Sequence, residues 1–242
     1  MALLAAFVLI EQHSPAPLIR LGIFRVRSLL GANLVMLVVA GGLFAFFFFE
    51  SLYVQEILGY SPLKAGLAFL PVTVGITVGA GLAQQLIKRI GVRAVAVIGM
   101  AIAAVGLFIL AHASVGGSYL SDILPGLIPQ SVGMGLTFVP VTLIATTNVG
   151  PEDAGLSSGL FNTSQQVGGS LGLAILSTLA ANKTTSVLTD GGQRAQALVD
   201  GFNVAFAAGA ILIAVGAVLL LVLVRKEDVA NVNPEAAPVP SA

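Results

Sequence analysis

This sequence predicts an all-α integral membrane protein, and three observations carry the prediction. Of its 242 residues, 57% are hydrophobic and only 9% are charged, against about a quarter charged in an ordinary soluble domain. The mean hydropathy is +1.00. Six stretches are apolar for roughly the 20 residues that a helix needs to cross a hydrocarbon core. They are Leu29–Phe49, Ala65–Leu86, Ala94–Ala113, Ser121–Ala145, Ala154–Ala181 and Val204–Val224.

The same composition excludes several function classes. Cysteine is absent, and the two histidines, His13 and His112, lie far apart outside the apolar runs. Disulfides, thiolate chemistry and a histidine metal cluster are therefore not expected, and no metal ligand is assigned. The formal net charge is zero, which gives no footprint for nucleic acid. No Gly-rich loop ending in Gly-Lys-Ser/Thr occurs, so no nucleotide-hydrolysing motif is expected. Nothing points to covalent chemistry, and the chain reads as a non-enzyme without a bound cofactor.

Taken in order, residues 1–10 are apolar but would reach only about 15 Å as a helix. They lack the basic start and small-residue cleavage site of a signal peptide. They read as the end of a helix that begins upstream of Met1, or as a short interfacial helix. Residues 1–28 are thus expected to be a helix remnant and a loop, residues 29–225 a six-helix bundle, and residues 226–242 a disordered tail. That tail is rich in Ala, Pro and Val and has no helical period. Residues 182–202 are expected to form the longest external loop, with a short helix at Gln193–Val199.

Orientation follows from Lys and Arg in the short loops. Arg20, Arg25 and Arg27, then Lys88, Arg89 and Arg93, then Arg225 and Lys226 fall in segments that alternate to one side. The other side holds Lys64, Lys183 and Arg194. The basic side, with the C-terminus, is expected to be cytoplasmic, in the inner or plasma membrane.

Polar residues collect in the first, fourth and fifth spans. Asn33 is the lone amide of the first span, whose outer end is crowded by Phe44, Phe46, Phe47, Phe48 and Phe49. In the fourth, Gln130 lies between Pro129 and Gly133, with Pro125 and Pro140 to either side. Proline frees backbone carbonyls, which hydrocarbon tolerates only where they face protein or a cavity. Gln130 would bond a ligand or one of those carbonyls. The fifth span carries Ser158, Asn162 and Gln165 on one face, with Gln166 beside them. Amides in hydrocarbon need partners, so this face meets protein or water, either as interhelical glue or as ligand contact. Gly75/Gly79, Gly155/Gly159 and Gly168/Gly172 are small-xxx-small pairs, which let helices approach closely. Glu50 and Asp122 sit at span boundaries and read as solvated interfacial acids. Intramembrane acids mark proton pathways, so this bundle by itself is not expected to couple transport to protons.

Three segments carry a family resemblance: Leu58-Gly-Tyr-Ser-Pro-Leu-Lys-Ala-Gly-Leu-Ala-Phe-Leu-Pro71, Pro125-Gly-Leu-Ile-Pro-Gln-Ser-Val-Gly-Met-Gly-Leu-Thr-Phe-Val-Pro140, and Gly155 through Thr178. With the approach from Phe7 to Arg27, the chain resembles the C-terminal six-helix half of the fourteen-helix drug:proton antiporters (EmrB/QacA type) of the major facilitator superfamily. The resemblance implies two inverted three-helix repeats, with the first and fourth spans lining a cavity, the second and fifth acting as gates, and the third and sixth facing lipid. It implies Asn33, Phe44, Phe48, Gln130 and Phe138 as cavity residues. Ser158, Asn162, Gln165, Gln166 and the paired glycines become gating contacts. Lys88, Arg89, Gly91 and Arg93 form a degenerate echo of the superfamily's loop signature, with Lys88 where that signature has an acid.

The implied function is efflux of lipophilic or cationic compounds by alternating access, driven by a proton gradient in the complete transporter. The implied partners are the lipid bilayer, a missing N-terminal half or a second copy, and small lipophilic substrates. A self-associating six-span half-transporter and a non-transporting sensor or assembly subunit are the alternatives.

Overall fold

The computed structural model describes residues 21–229. The expectations for residues 1–20 and 230–242 lie outside the described residues. Six helices among them are long and apolar enough to cross a membrane: α1 (Arg27–Ile57), α2 (Pro62–Ile90), α3 (Val92–Leu110), α4 (Tyr119–Thr146), α5 (Ala154–Thr189) and α6 (Arg194–Leu223).

Local chemistry sets the breaks between them. Ser61 caps α2, its hydroxyl accepting from the Lys64 amide at 3.4 Å, and Pro62 takes the first helical position, where a missing N–H costs nothing. Pro71 interrupts α2 near Phe69, so the helix runs as Pro62–Ala68 and Leu70–Ile90. Gly91, at φ +84°, makes the sharp turn into α3, a backbone conformation that side-chain-bearing residues resist. Ser118 and Ser121 form a reciprocal capping box at the start of α4. Wide π turns close α1 (Tyr53–Ile57) and open α4 (Tyr119–Ile123) at neighbouring places on one end of the bundle. There the Tyr53 hydroxyl donates to the Ser114 carbonyl at 2.6 Å, and the Tyr119 hydroxyl to the Ala68 carbonyl at 2.6 Å.

The packing has an approximate twofold logic. α1 lies against α5 and α6, α4 lies against α2 and α3, and α3 touches α6. The first helix of each three-helix repeat thus packs on the second and third helices of the other. Glycines make this possible at equivalent places. On α2, Gly75 and Gly79 press against Ser131, Val132 and Gly135 of α4; on α5, Gly168 and Gly172 press against Leu37 and Gly41 of α1. The central helices α1 and α4 are the most enclosed, with 67% of the apolar window buried in each, against 17% in α2 and α5. At the far end of α1, Phe49 packs on Phe202 and Phe206 of α6, with ring centroids 5.7 and 6.4 Å apart.

Two expectations are corrected. Residues 182–202 are not a long loop: α5 continues to Thr189 and α6 begins at Arg194. The polar run from Asn182 to Thr189 contains no Gly or Pro to stop it, and the chain turns at Gly191, at φ +82°. The start of the expected disordered tail is also ordered. A 3-10 turn at Glu227–Val229 places Asp228 3.8 Å from the Arg27 guanidinium, and the Asn148 amide donates to the Asp228 carbonyl at 2.8 Å.

Candidate functional site

Two open-sided clefts occupy equivalent positions in the two repeats. One lies between α4 and α5, with a volume of about 280 Å³, lined by Phe138, Thr142, Thr146, Ser158, Phe161, Asn162 and Gln165. The other lies between α1 and α2, about 360 Å³, lined by Phe47, Ser51, Phe69, Val72, Thr73 and Ile76. The first is built from the C-terminal end of α4 and the N-terminal end of α5. The second is built from the C-terminal end of α1 and the N-terminal end of α2. Because α1 and α4 run in opposite directions, the clefts open at opposite ends of the bundle. Each combines aromatic faces with hydroxyls or amides, a lining that suits flat lipophilic or cationic ligands.

The structure brings Phe138 together with Ser158, Asn162 and Gln165, merging an expected cavity residue with three expected gating residues. Ser158 turns its hydroxyl back to the Ala154 carbonyl at 3.0 Å, a local bond within its own helix. Gln166 is exposed on the adjoining face of α5.

The other expected cavity residues sit elsewhere. Asn33 is 8% exposed and bonded within the bundle: its amide donates to the Leu29 carbonyl, and its oxygen accepts from the Ser164 hydroxyl on α5, both at 2.8 Å. It ties α1 to α5. Phe44 lays its ring against Gly169 of α5. Phe48 is exposed on the outer surface, with its ring 5.2 Å from Phe49. Gln130 is wholly buried with its backbone and Cβ against Gly106 of α3, away from both clefts, and neither of its side-chain polar atoms has a hydrogen-bond partner among the described residues. Sequence reasoning missed the α1–α2 cleft, although Phe69 and Thr73 fall one helical turn apart.

The glycine pairs divide. Gly75, Gly79, Gly168 and Gly172 make the close contacts described above, whereas a Cβ on Gly155 or Gly159 would meet no other part of the described chain within 4 Å. Of the basic loop, Lys88, Arg89 and Gly91 are exposed, while Arg93 donates through Nη2 to the Leu221 carbonyl near the end of α6.

Glu50 corrects the sequence reading most sharply. It has no exposed surface, and neither carboxyl oxygen has a hydrogen-bond partner among the described residues. It is not a solvated interfacial acid. Four consecutive phenylalanines precede it, and with such a run no apolar periodicity marks which face of α1 turns inward. Asp122 differs: it accepts from the Ser114 amide at 2.7 Å, the Ser114 hydroxyl at 2.8 Å and the Ser121 hydroxyl at 2.6 Å. It clasps the α3–α4 loop.

Comparison with known proteins gives this architecture a family. Residues 3–173 match the family described as Major Facilitator Superfamily. The chain is 37% identical over 231 residues to the puromycin resistance protein pur8 of Streptomyces alboniger, covering 92% of this chain and 46% of that protein. It is 36% identical to the cephamycin export protein CmcT of Amycolatopsis lactamdurans, over 75% of this chain and 38% of the relative. It is 33% identical to the tetracenomycin C resistance and export protein of Streptomyces glaucescens, over 77% and 34% respectively. The chain spans about half the length, or less, of the curated relatives it matches. These relatives are named for resistance and export, not for catalysis. With its six membrane-crossing helices, the chain belongs to the Major Facilitator Superfamily.

Proposed function

We propose that this bundle is the C-terminal half of a multidrug exporter that moves lipophilic or cationic compounds by alternating access, driven by proton antiport. The observation that carries the reading is the pair of repeat-equivalent clefts opening at opposite ends. Substrates in such transporters lie at the interface between repeats or halves near the bilayer midplane. At 280 and 360 Å³, each cleft is at or below the small end of the roughly 300–1,000 Å³ typical of ligand pockets. Each is thus a half-site that a second bundle would complete.

The least enclosed helices, α2 and α5, are the ones that would meet this second bundle. Gln166 and the outward amide of Asn162 then find partners across the interface, as amides in a membrane require. Rocking of one bundle on the other would open one cleft while closing its equivalent. Close glycine contacts seat the expected gate helices α2 and α5 on α4 and α1 within this bundle.

Glu50 supports the coupling part of the reading. An ionisable group in a membrane helix is expensive and marks an ion or proton pathway. The basic end, with Arg93 and Arg225, faces the cytoplasm of the inner or plasma membrane in this reading.

The test is export of a fluorescent cationic dye from a drug-sensitive host that makes the chain together with the N-terminal half of a relative. Export that depends on both halves and collapses with a protonophore is expected. Export by both halves that is indifferent to a protonophore would remove the coupling claim.

A further inference from the structure

We propose that the cavity at the α2–α3 turn holds the phosphate head group of an anionic phospholipid, with Arg93 and Lys226 as its cationic ligands. The cavity measures about 610 Å³ and lies apart from both transport clefts. It belongs to the bundle end where Arg27, Arg93 and Asn148 all bond to the C-terminal segment Leu221–Asp228.

Four features converge on it. First, Arg93 lines the cavity while spending Nη2 on the Leu221 carbonyl. No carboxylate pairs with it among the described residues. Second, Lys226 lines the same cavity, and the nearby acid that would neutralise it is occupied elsewhere. Asp228 lies 3.8 Å from the Arg27 guanidinium and accepts from the Arg225 amide at 2.8 Å. Glu227 is exposed and is not part of the lining.

Third, α3 starts at Val92, and the first amide to find a carbonyl one turn back is that of Val95, bonded to Gly91. Val92, Arg93 and Ala94 all line the cavity. Their N–H groups form the positive end of the helix and lack intrahelical partners. Fourth, the remaining wall is apolar and leads outward: Ile98 on α3 and Leu221 on α6 are 41% and 47% exposed. A free phosphate has no use for that wall. A phospholipid uses both parts, its diester anion at the basic end and its acyl chains along Ile98 and Leu221. Basic pockets between membrane helices at the head-group level bind lipids of this class.

Native mass spectrometry of the full 242-residue chain tests the site, titrating phosphatidylglycerol, phosphatidylcholine and inorganic phosphate in separate arms. Phosphatidylglycerol is expected to bind saturably, phosphatidylcholine not to compete, and inorganic phosphate at equal concentration not to displace the lipid. Arg93→Gln and Lys226→Gln should each weaken phosphatidylglycerol binding about fivefold, while Lys88→Gln and Arg89→Gln, outside the cavity, leave it unchanged.

Arg93 also holds the end of α6, so its variant risks misfolding. Lys226, an exposed side chain with no hydrogen bond among the described residues, carries the test in that case. Equal binding of phosphatidylcholine, or unchanged binding by Lys226→Gln, would overturn the proposal. Displacement by inorganic phosphate would overturn the lipid assignment and leave a site for free anions.

Discussion

Gly172 of α5 faces Gly41 of α1 so closely that a Cβ on Gly172 would overlap the Gly41 Cα. One turn earlier, a Cβ on Gly168 would overlap the Leu37 carbonyl. Lipid tails are as apolar as any side chain, so membrane helices associate through such close packing rather than through hydrophobic burial. Gly75 and Gly79 repeat the arrangement between α2 and α4. The two seams let each repeat seat its second helix on the first helix of the other.

Gly172→Val should therefore force α1 and α5 apart. Overpacking of this kind costs about 1–3 kcal/mol, readable as a lowered midpoint of thermal unfolding in detergent. Gly159→Ala has the same spacing in sequence but meets open space. It should change stability by less than about 1 kcal/mol, with a helix-favouring residue replacing glycine.

Asn33 and Ser164 should show a small, real coupling. Interhelical hydrogen bonds in membranes average about 0.6 kcal/mol. A double-mutant cycle of Asn33→Leu and Ser164→Ala should return a value near that, and a coupling of zero would mean that the α1–α5 bond does not hold in solution.

Glu50 and Asp122 should separate cleanly by phenotype. In a complete transporter, Glu50→Gln is expected to abolish drug-dependent proton flux while leaving drug binding within a factor of about three, since the substitution keeps shape and removes charge. Asp122→Asn should instead loosen the α3–α4 loop, lowering stability by about 1–3 kcal/mol through weakened bonds to Ser114 and Ser121. Loss of coupling in Asp122→Asn without loss of stability would reverse the two assignments.

The α4–α5 cleft should govern substrate range. Phe138→Ala removes an aromatic wall worth about 1 kcal/mol beyond its buried area. It is expected to weaken binding of planar cationic dyes five- to tenfold by fluorescence titration. Phe48→Ala, on the outer surface, should leave that binding unchanged.

How much of this was legible depended on what each signal encodes. The six membrane crossings were readable because a 20-residue apolar window is a direct requirement of bilayer thickness. The ends of α5 and α6 were not, since Asn182–Thr189 is polar yet contains nothing that breaks a helix. Glycine spacing located Gly75/Gly79 and Gly168/Gly172 correctly as contacts. The same spacing at Gly155/Gly159 meets no contact among the described residues, because periodicity names a face without naming what lies opposite. The family resemblance put Asn33 and Gln130 in the cavity, with Gln130 bonding a ligand or a freed carbonyl; Asn33 instead accepts from Ser164 and Gln130 is buried at α3, and both outcomes depend on packing between distant segments. Glu50 was hidden by the phenylalanines before it. They made that stretch apolar on every side and left its inward face unreadable.

Dependence on a second bundle is tested most directly by drug-driven proton flux in liposomes. Vesicles containing only this chain should show no drug-dependent pH change. Vesicles that also contain an N-terminal half should show one, and it should vanish with Glu50→Gln. Full drug-dependent flux from the chain alone, present as a monomer, would contradict the half-transporter reading outright.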